Sequence, residues 1–425
     1  MLKKSFCLKV FNLHVKNFLL IIGCMVVRKE FMKILWNWKD KKVIKVVTGV
    51  RRCGKSTLLS QFKSEVEKLG ECNTISINFD DLENEFLCDY HVLYKHLRGK
   101  ITAGQMNYVF LDEIQLVPQF EKVVNSLFLK DNVDIYITGS NAYMLSGEIA
   151  TLLSGRYVEI KMLPFSFAEY AQFKSDFLKK EVTADETLYN EYVSVGGFPY
   201  VASISTDKNL VRDYIRGIYS TIVLKDIIQR KKLSDSDVLE KVCKFTLSNV
   251  GNLVSSKKVS DTLTSGGRKT SPATVENCYS ALTESYLFYK ATRYDIKGKE
   301  FLKSLEKYYA VDMGLRFFML GIRTGDDGFI LENVVYLELL RRGYEVYVGK
   351  YNDLEIDFVA KKDGLTEYYQ VALSVREQST LERELRPFRL MKDNYPKLLI
   401  TLDNSNNIDH NGIIQIYAVK WLASA

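Results

Sequence analysis

The stretch "VIKVVTGVRRCGKSTLL", residues 43–59, determines the expected fold of the chain. Its first six residues are mostly apolar and β-branched, a composition typical of a buried strand. The pattern G-x-x-x-x-G-K-S follows from Gly49 to Ser56, and apolar residues at helical spacing come directly behind it. A strand, a glycine loop and a helix in this order predict a loop whose backbone N–H groups surround phosphate oxygens.

Five residues of this loop are the candidates for nucleotide binding. We expect Gly49 and Gly54 to permit the tight turn, with the positive end of the helix dipole facing the phosphates. Lys55 is expected to reach the β- and γ-phosphates, and the hydroxyl of Ser56 to ligate Mg²⁺. Thr57 completes the set, because it lies in the first turn of the same helix. The sequence therefore predicts a nucleoside triphosphate and Mg²⁺ as ligands.

An acidic pair ends a second strand. "NYVFLDEIQ", residues 107–115, is an apolar strand that finishes in Asp112 and Glu113. The carboxylate of Asp112 can hold Mg²⁺ directly or through water, and Glu113 can orient and polarise the attacking water. Because a GTPase-type site lacks the second acid, Glu113 favours ATP hydrolysis over a GTP switch, and ATP is the predicted cofactor.

Three more polar residues are candidates at the ATP site. Ser140 and Asn141 follow an apolar strand, and either side chain could sense the γ-phosphate or position water. We take Asn141 as the catalytic candidate, with a plain turn or a helix cap as the alternative. Arg156 precedes a further strand, where an arginine can reach the nucleotide of a neighbouring subunit and stabilise transition-state charge. An ordinary surface arginine is the alternative.

Five predicted strands define the N-terminal fold. Helical patterns separate them, so we expect an α/β architecture: a P-loop NTPase parallel sheet with helices on both faces and the nucleotide at the carboxyl ends of the strands. The predicted strands are Val43–Thr48, Thr74–Phe79, Tyr108–Leu111, Val133–Thr138 and Tyr157–Leu163.

Six motifs, taken together, resemble those of a known family. They are "TGVRRCGKST", "FLDEIQ", "ITGSNA", "SGR", "PFSFAEY" and "GGFPYV". As a set they are similar to a prokaryotic group of AAA+-type ATPases, many of which carry a C-terminal domain resembling restriction-endonuclease-like nucleases. The resemblance runs from about residue 25 to the C-terminus. It implies the ATPase roles given above and a small α/β nuclease-like domain.

The chain is accordingly divided into four parts. We expect residues 1–24 to be an over-extended N-terminus, because the apolar core "FLLII" is shorter than the ~7–15 residues of a signal region. Residues 25–205 are assigned to the AAA+-type P-loop ATPase domain. Residues 206–310 are assigned to a helical and winged-helix domain, and residues 311–425 to a degenerate restriction-endonuclease-like domain.

The winged-helix prediction depends on element order and charge. Three helical patterns, within residues 236–251, 255–267 and 271–288, precede two strand-like stretches, which is the winged-helix order. Residues 230–303 contain 14 Lys/Arg against 8 Asp/Glu, a pattern that favours phosphate contacts with double-stranded DNA. The polar candidates are Arg268, Lys269, Thr270, Lys290, Arg293, Lys297 and Lys299. A domain that only packs on the ATPase and relays its state is the alternative.

The C-terminal stretch "LEIDFVAKKDGLTEYYQVALS", residues 354–374, resembles a nuclease motif with two groups changed. Glu332 and Asp357 match the carboxylates that hold Mg²⁺ in such a site. Gln370 stands in place of a second motif carboxylate, and Ala372 in place of the lysine. We therefore expect a retained fold with lost or greatly weakened nuclease activity. Residues that could compensate are Glu338, Glu355, Lys361 and Lys362.

Composition limits the remaining possibilities. The chain has 47% hydrophobic and 26% charged residues, which describes a globular protein. Its 7 cysteines form no C-x-x-C pair, which argues against a disulfide framework or a zinc site and favours the cytoplasm. No stretch approaches the ~20 apolar residues of a membrane span, so no membrane partner is expected.

Three functional hypotheses follow. The leading one is an ATP-binding and ATP-hydrolysing switch that couples nucleotide state to DNA or partner binding. The alternatives are an ATP-gated, Mg²⁺-dependent DNA nuclease and a protein-interaction ATPase of signalling or toxin-like type without nucleic acid. A homo-oligomer is expected if Arg156 acts between subunits.

Overall fold

The computed structural model of the protein describes residues 26–142, 153, 155–229, 235–321 and 327–424. The predicted N-terminal extension and part of the basic segment, residues 230–234, lie outside these ranges. The described strands form a five-stranded sheet in the N-terminal unit, residues 26–161, and a nine-stranded sheet in the C-terminal half. A helical unit, residues 167–229, connects them.

The N-terminal sheet is entirely parallel, as predicted. Its strand order is β2-β3-β4-β1-β5, so β4 lies between the strand that precedes the glycine loop and the strand that ends in the acidic pair. The boundaries agree with the predicted strands to within two residues. The strands are β1 Ile44–Thr48, β2 Cys72–Asn78, β3 Met106–Asp112, β4 Val133–Gly139 and β5 Tyr157–Lys161.

Helices cover both faces of this sheet because successive residues of a buried strand point to opposite sides. Val47 packs in the same apolar cluster as Phe62 of helix α2, whereas Val46 packs with Leu127 of helix α4 on the other face. The helices of the unit are α1 Lys29–Trp38, α2 Lys55–Glu67, α3 Tyr90–Lys100 and α4 Phe120–Phe128, with short 3₁₀ turns at Leu82–Cys88 and Ile114–Leu116.

The helical unit extends the core of the N-terminal unit. Its first helix begins with a capping box, in which the Ser166 hydroxyl accepts from the Glu169 N–H and the Glu169 carboxylate accepts from the Ser166 N–H. The helices are α5 Phe167–Leu178, α6 Glu186–Val195, α7 Pro199–Ile204 and α8 Lys208–Thr221, and a π-helical segment follows at Ile222–Gln229.

The next unit, residues 235–310, is called the helix–hairpin unit. Three helices precede an antiparallel hairpin, and the two-residue strand β6 pairs with the second hairpin strand. Ser271 caps the third helix, and Pro272 occupies its first turn. The elements are α9 Ser236–Ser248, β6 Leu253–Val254, α10 Ser256–Ser265, α11 Pro272–Glu284, β7 Phe288–Asp295 and β8 Glu300–Ala310.

The C-terminal unit, residues 311–424, shares one sheet with that hairpin. Strand β7 pairs in parallel with β9, and the order of the nine strands is β13-β14-β12-β11-β10-β9-β7-β8-β6. The predicted boundary at residues 310/311 therefore falls within a continuous sheet. The elements are α12 Met313–Leu320, α13 Asp327–Arg341, β9 Glu345–Tyr351, β10 Leu354–Lys362, β11 Leu365–Ala372, α14 Gln378–Leu390, β12 Lys397–Thr401, β13 Ile408–Asp409, β14 Ile413–Tyr417 and α15 Ala418–Ala423.

Candidate functional site

The glycine loop has a backbone that only glycine adopts easily. Gly49 and Gly54 have φ values of 145° and 104°. A Cβ atom on Gly49 would lie 2.0 Å from the carbonyl oxygen of Met162, just beyond β5. Helix α2 begins at Lys55, so its free N–H groups face the loop. The local backbone is therefore that of an anion-binding loop at a helix N-terminus.

The side chain of Lys55 lies folded over this loop. Its Nζ atom donates to the carbonyl oxygens of Gly49, at 3.0 Å, and of Val50, at 3.1 Å. The closest carboxylate oxygen recorded for it, Oε1 of Glu113, is 3.8 Å away. Lys55 is thus held mainly by neutral groups, an arrangement that a bound phosphate could replace.

Asp112 ends β3, and the hydroxyl of Ser56 lies near its carboxylate. Burial raises the pKa of Asp112, while hydrogen bonds from Thr138 and Ser56 act to lower it. The Thr138 hydroxyl donates to Asp112 Oδ1 at 2.5 Å. Ser56 and its neighbour Thr57 are exposed at the mouth of the loop. A carboxylate and a hydroxyl oxygen side by side are the hard donors that Mg²⁺ prefers, so these residues fit the predicted ion.

Glu113 is fixed by its backbone and by its neighbours. Its φ is 55°, a left-handed conformation that is strained for a glutamate. Its N–H donates to the hydroxyl of Thr138 at 2.8 Å, and its Oε2 atom accepts from the hydroxyl of Ser140 at 3.0 Å and from the amide of Gln115. The carboxylate is buried beside Lys55, where it can orient a water molecule.

Ser140 is the polar residue after β4 that touches the acidic pair. Asn141, the predicted catalytic candidate, is buried next to it. Sequence reasoning missed Thr138, which contacts both Asp112 and the backbone of Glu113. The available signal was a threonine at the end of an apolar strand that leads into two other polar residues. Because β4 lies between β1 and β3, its last residues necessarily approach both motifs.

Arg156 lies at the other end of the sheet. Its carbonyl accepts from the N–H of Ile44, which begins β1, and its guanidinium donates to Asn125 at 3.1 Å. Five residues of strand separate this position from the glycine loop, a distance of about 17 Å. Arg156 therefore lies away from the nucleotide site of its own chain, and a role toward a neighbouring subunit stays a prediction.

A chain of hydrogen bonds links the glycine loop to the helix–hairpin unit. Glu159 on β5 accepts from the hydroxyl of Thr48, the residue before Gly49, at 2.7 Å. The same Oε1 atom accepts from the hydroxyl of Tyr286 at 3.2 Å. Tyr286 is buried between α11 and β7 and has a φ of 57°. A shift at either end would therefore disturb hydrogen bonds at the other.

A second link explains the glycines of "GGFPYV". The N–H of Gly197 donates to Oδ2 of Asp312 at 2.6 Å, and a Cβ on Gly196 would lie 2.1 Å from Oδ1 of the same carboxyl group. Burial raises the pKa of Asp312 to about 6, although hydrogen bonds from backbone N–H groups, first that of Gly197, oppose the rise. The glycines thus leave room for a carboxyl group from the start of the C-terminal unit.

The two predicted nuclease-site carboxylates, Glu332 on α13 and Asp357 on β10, lie near each other with a lysine beside them. Lys307 on β8 donates to Oε1 of Glu332 at 3.0 Å and lies 2.7 Å from Oε1 of Glu355. The hydroxyl of Tyr309 also donates to Glu332, at 2.7 Å. Burial lowers the pKa of Lys307, but the carboxylates, first that of Glu332 and then that of Asp357, outweigh this effect and raise it overall.

Asp357 is held by the backbone of β11. Its Oδ2 atom accepts from the N–H of Val371 at 2.8 Å, and its own N–H donates to Oε1 of Gln370 at 2.7 Å. The amide of Gln370 also donates to Glu384 at 3.1 Å. Burial and the charge of Glu332 raise the pKa of Asp357 well above its usual value, and Lys307 acts in the opposite direction. Gln370 is therefore a structural amide, with both ends of its side chain engaged.

Of the compensating residues considered from the sequence, Glu355 lies beside Lys307, near Glu332 and Asp357. Glu338 pairs with Arg341 and Arg342. Lys361 packs on the ring of Tyr294 at 3.6 Å, and Lys362 donates to the carbonyl of Arg342. Within the described ranges, no group of three His, Cys, Asp or Glu side chains is arranged to hold a metal ion. Sequence reasoning missed Lys307, which lies 50 residues before Asp357.

The cations of the helix–hairpin unit divide into two groups. Arg268 pairs with Asp235 and Asp237, and Lys290 pairs with Glu306. Further exposed lysines are Lys257, Lys258, Lys269, Lys297 and Lys299. Helix α11 itself contains no lysine or arginine, and its exposed residues include Glu276.

In the part of the chain that the structure describes, no helix is long and apolar enough to cross a membrane.

Comparison with known families matches two segments of the chain. Residues 41–171 match an AAA domain, and residues 186–326 match a domain of unknown function, DUF8612. The first match contains the glycine loop, the acidic pair, Asn141 and Arg156. The chain is therefore an AAA-type P-loop protein in its N-terminal unit.

Relatives and a solved structure extend this match. An uncharacterized protein of Haemophilus influenzae is 42% identical over 94% of this chain and 98% of its own length. The uncharacterized protein MJ1544 of Methanocaldococcus jannaschii is 30% identical over 85% of this chain and 80% of its own. The Walker-type ATPase PABY2304 of Pyrococcus abyssi has a TM-score of 0.50 at 14% identity, covering 69% of this chain and 96% of that one, which shows a shared fold.

Proposed function

The chain belongs to the family of its Haemophilus influenzae and Methanocaldococcus jannaschii relatives and carries an AAA domain, and we propose that it is an ATP-binding and ATP-hydrolysing switch. The observation that carries the proposal is the meeting of Lys55, Asp112 and Glu113 beside a glycine loop at the carboxyl ends of β1 and β3, the strands on either side of β4. Its nucleotide state would control the binding of DNA or a protein partner.

Each residue has a defined task in the proposed reaction. The loop from Gly49 to Gly54 would bind the phosphates through its N–H groups, and Lys55 would pair with the β- and γ-phosphates. Ser56 and Asp112 would hold Mg²⁺, which neutralises phosphate charge when it is bound. Glu113 would orient the attacking water through its fixed carboxylate.

Binding of ATP would change the partners of Lys55 and thereby the state of Glu113. The ammonium group of Lys55 contacts two loop carbonyls and lies 3.8 Å from Glu113. A triphosphate offers a stronger charge-assisted partner, so Lys55 would move toward it. Glu113 would then be left with hydrogen bonds from Ser140 and Gln115, which hold its carboxylate in place for the water. Asn141 would assist at the γ-phosphate.

Two contacts support coupling to the rest of the chain. Thr48 and Tyr286 share the carboxylate of Glu159, and Gly197 binds Asp312. Thr48 directly precedes the loop, so closure of the loop on a nucleotide would act on this hydrogen-bonded chain. Ordering of a segment around the γ-phosphate is an established way to switch a neighbouring unit.

We assign the helix–hairpin unit as a winged helix that contacts double-stranded DNA through exposed lysines. The order of three helices, the short strand β6 and the β7–β8 hairpin supports this assignment. Phosphate contacts would come from Lys257, Lys258 and the β7–β8 turn, where Lys297 and Lys299 are exposed. The lack of a cation on α11 favours a second candidate, a protein partner recognised without nucleic acid.

Arg156 would act between copies of the chain. It lies at the end of the sheet away from its own nucleotide, where a neighbouring copy could present its site.

The third hypothesis, an ATP-gated nuclease, gains no support from the geometry. Gln370 is engaged as a neutral amide, and Lys307 pairs with two of the carboxylates at that site.

ATP turnover of the full chain, measured with and without duplex DNA, tests the proposal. Lys55→Ala should lower turnover at least ~10²-fold, because a positioned phosphate contact is lost. Lys63→Ala is the matched control, since Lys63 lies on the same helix and pairs with Glu67 near the surface. Equal turnover in the parent and Lys55→Ala would overturn the ATPase assignment. Turnover that depends on Lys55 but not on DNA would favour the protein partner.

A further inference from the structure

Lys307 is a buried lysine with more than one carboxylate partner. Its side chain is 3% exposed, and its Nζ atom lies 3.0 Å from Glu332 and 2.7 Å from Glu355. The charge of Asp357 also acts to raise the pKa of Lys307. We call Glu332, Glu355 and Asp357 the carboxylate cluster. A buried ammonium is stable only when carboxylates or other acceptors replace its lost water, and the cluster supplies them.

The position of this ammonium group does not fit a bound divalent ion. Mg²⁺ needs oxygens at about 2.1 Å around an accessible centre, and Lys307 already contacts two of the available oxygens. A dication placed beside it would be repelled by the ammonium charge. The neutral Gln370 also disfavours a divalent ion, because a site with one fewer carboxylate suits a monocation better than a dication.

We propose that Lys307 takes the place of the divalent cation in this sheet, so that the carboxylate cluster is a cation site filled by the chain itself. The cation comes from β8 of the helix–hairpin unit, whereas the carboxylates come from α13 and β10 of the C-terminal unit. The cluster therefore fastens the hairpin to the C-terminal unit and does not bind metal while Lys307 is present.

The surroundings of the cluster agree with a structural role. Tyr309, also on β8, donates to Glu332 at 2.7 Å and stacks on Tyr336 of α13 with ring centroids 4.0 Å apart. Gly251, in the turn between α9 and β6, has a φ of 74°, and a Cβ there would lie 3.0 Å from Glu332. The carboxylate of Glu332, on α13 of the C-terminal unit, is thus packed against two segments of the helix–hairpin unit. These are strand β8 and the turn between α9 and β6. The inference stands apart from the proposed ATPase activity.

Mn²⁺ binding to the nucleotide-free full chain tests the proposal, with free Mn²⁺ counted by electron paramagnetic resonance. Removal of the ammonium by Lys307→Ala should leave carboxylates that bind Mn²⁺ at least about tenfold more tightly than the parent does. The added Mn²⁺ should be lost again in Lys307→Ala/Asp357→Asn. Lys290→Ala is the matched control, because Lys290 pairs with Glu306 on the same hairpin outside the cluster, and it should bind Mn²⁺ as the parent does.

Two results would overturn the proposal. One is Mn²⁺ binding by the parent that disappears in Asp357→Asn, since the cluster would then accept a metal beside Lys307. The other is a folded Lys307→Ala protein that binds no more Mn²⁺ than the parent. If Lys307→Ala does not fold, the comparison of the parent with Asp357→Asn still decides the first point. Lys307→Arg, which keeps the charge, should then fold and bind no Mn²⁺.

Discussion

Two sites in this chain place a buried lysine beside carboxylates, and they differ in how the lysine is satisfied. Lys55 donates to two backbone carbonyls and lies 3.8 Å from Glu113. Lys307 contacts Glu332 and Glu355 at 3.0 and 2.7 Å. A lysine with neutral partners can exchange them for a phosphate, whereas a lysine paired with carboxylates has little to gain from a ligand.

The two sites also differ in their backbone conformation. Glu113 is strained at a φ of 55°, and Gly49 and Gly54 also have positive φ values. At the carboxylate cluster, Asp357 lies in strand β10 where the register with β9 shifts, but it has no positive φ, and it accepts from the N–H of Val371. Strain that persists at a site must be maintained by its surroundings, and it is typical of functional positions. The comparison suggests that the cluster serves stability and the glycine loop serves chemistry.

The largest expected effect separates the two sites by activity. Glu113→Gln keeps the shape of the side chain but removes the charge that orients water, so ATP turnover should fall ~10²–10⁴-fold while ATP binding is retained. Asp357→Asn makes the corresponding change at the cluster and should leave turnover within about twofold of the parent. Phosphate release and nucleotide binding would be measured on both. A large loss of turnover in Asp357→Asn would show that the sites are not separate in function.

The second prediction concerns stability, and here the change at the carboxylate cluster should have the larger effect. Lys307→Met should lower the free energy of unfolding by about 3 kcal/mol, because it leaves the buried carboxylate of Glu332 without its counter-ion. Lys55→Met removes hydrogen bonds to neutral carbonyls, so it should cost about 1 kcal/mol. Urea denaturation of both variants without nucleotide would measure the difference. Equal losses would contradict the view that only one of the two lysines is structural.

The glycine-loop site could be predicted from the sequence because its chemistry is local. Gly49, Gly54, Lys55 and Ser56 lie within eight residues, and the strand and helix around them fix their geometry. The acidic pair follows from the same logic, since a parallel sheet brings strand ends to one edge. The choice of Asn141 over Ser140 had no such local basis, because which side chain meets Glu113 depends on how the chain turns after β4.

Lys307 could not be predicted for a different reason. It reaches the carboxylate cluster only because β7 pairs in parallel with β9, which joins the hairpin to the C-terminal sheet. Nothing in the local pattern of either segment specifies that pairing. The sequence indicated a missing lysine at Ala372, and the lysines near it in the chain are Lys361 and Lys362. The lysine that lies at the cluster comes from a strand 50 positions before Asp357.

The smallest expected effect concerns the connection between the two halves of the molecule. Tyr286→Phe removes the hydrogen bond to Glu159 but keeps the ring, so it should cost about 0.5–1.5 kcal/mol of stability and leave basal ATP turnover nearly unchanged. Its specific effect should be on coupling. Hydrogen exchange in the helix–hairpin unit, which we expect to differ between the ATP-bound and nucleotide-free parent, should differ less in the variant.

Tyr289→Phe is the matched control for this measurement. Tyr289 is three residues further along, and its buried hydroxyl has no hydrogen-bond partner among the described residues. Its removal should therefore be neutral or slightly stabilising, with the exchange difference intact. If Tyr286→Phe kept the full difference as well, Glu159 would not carry the signal. The contact between Gly197 and Asp312 would then be the next candidate, because it joins the same two halves through a carboxyl group buried against a glycine backbone.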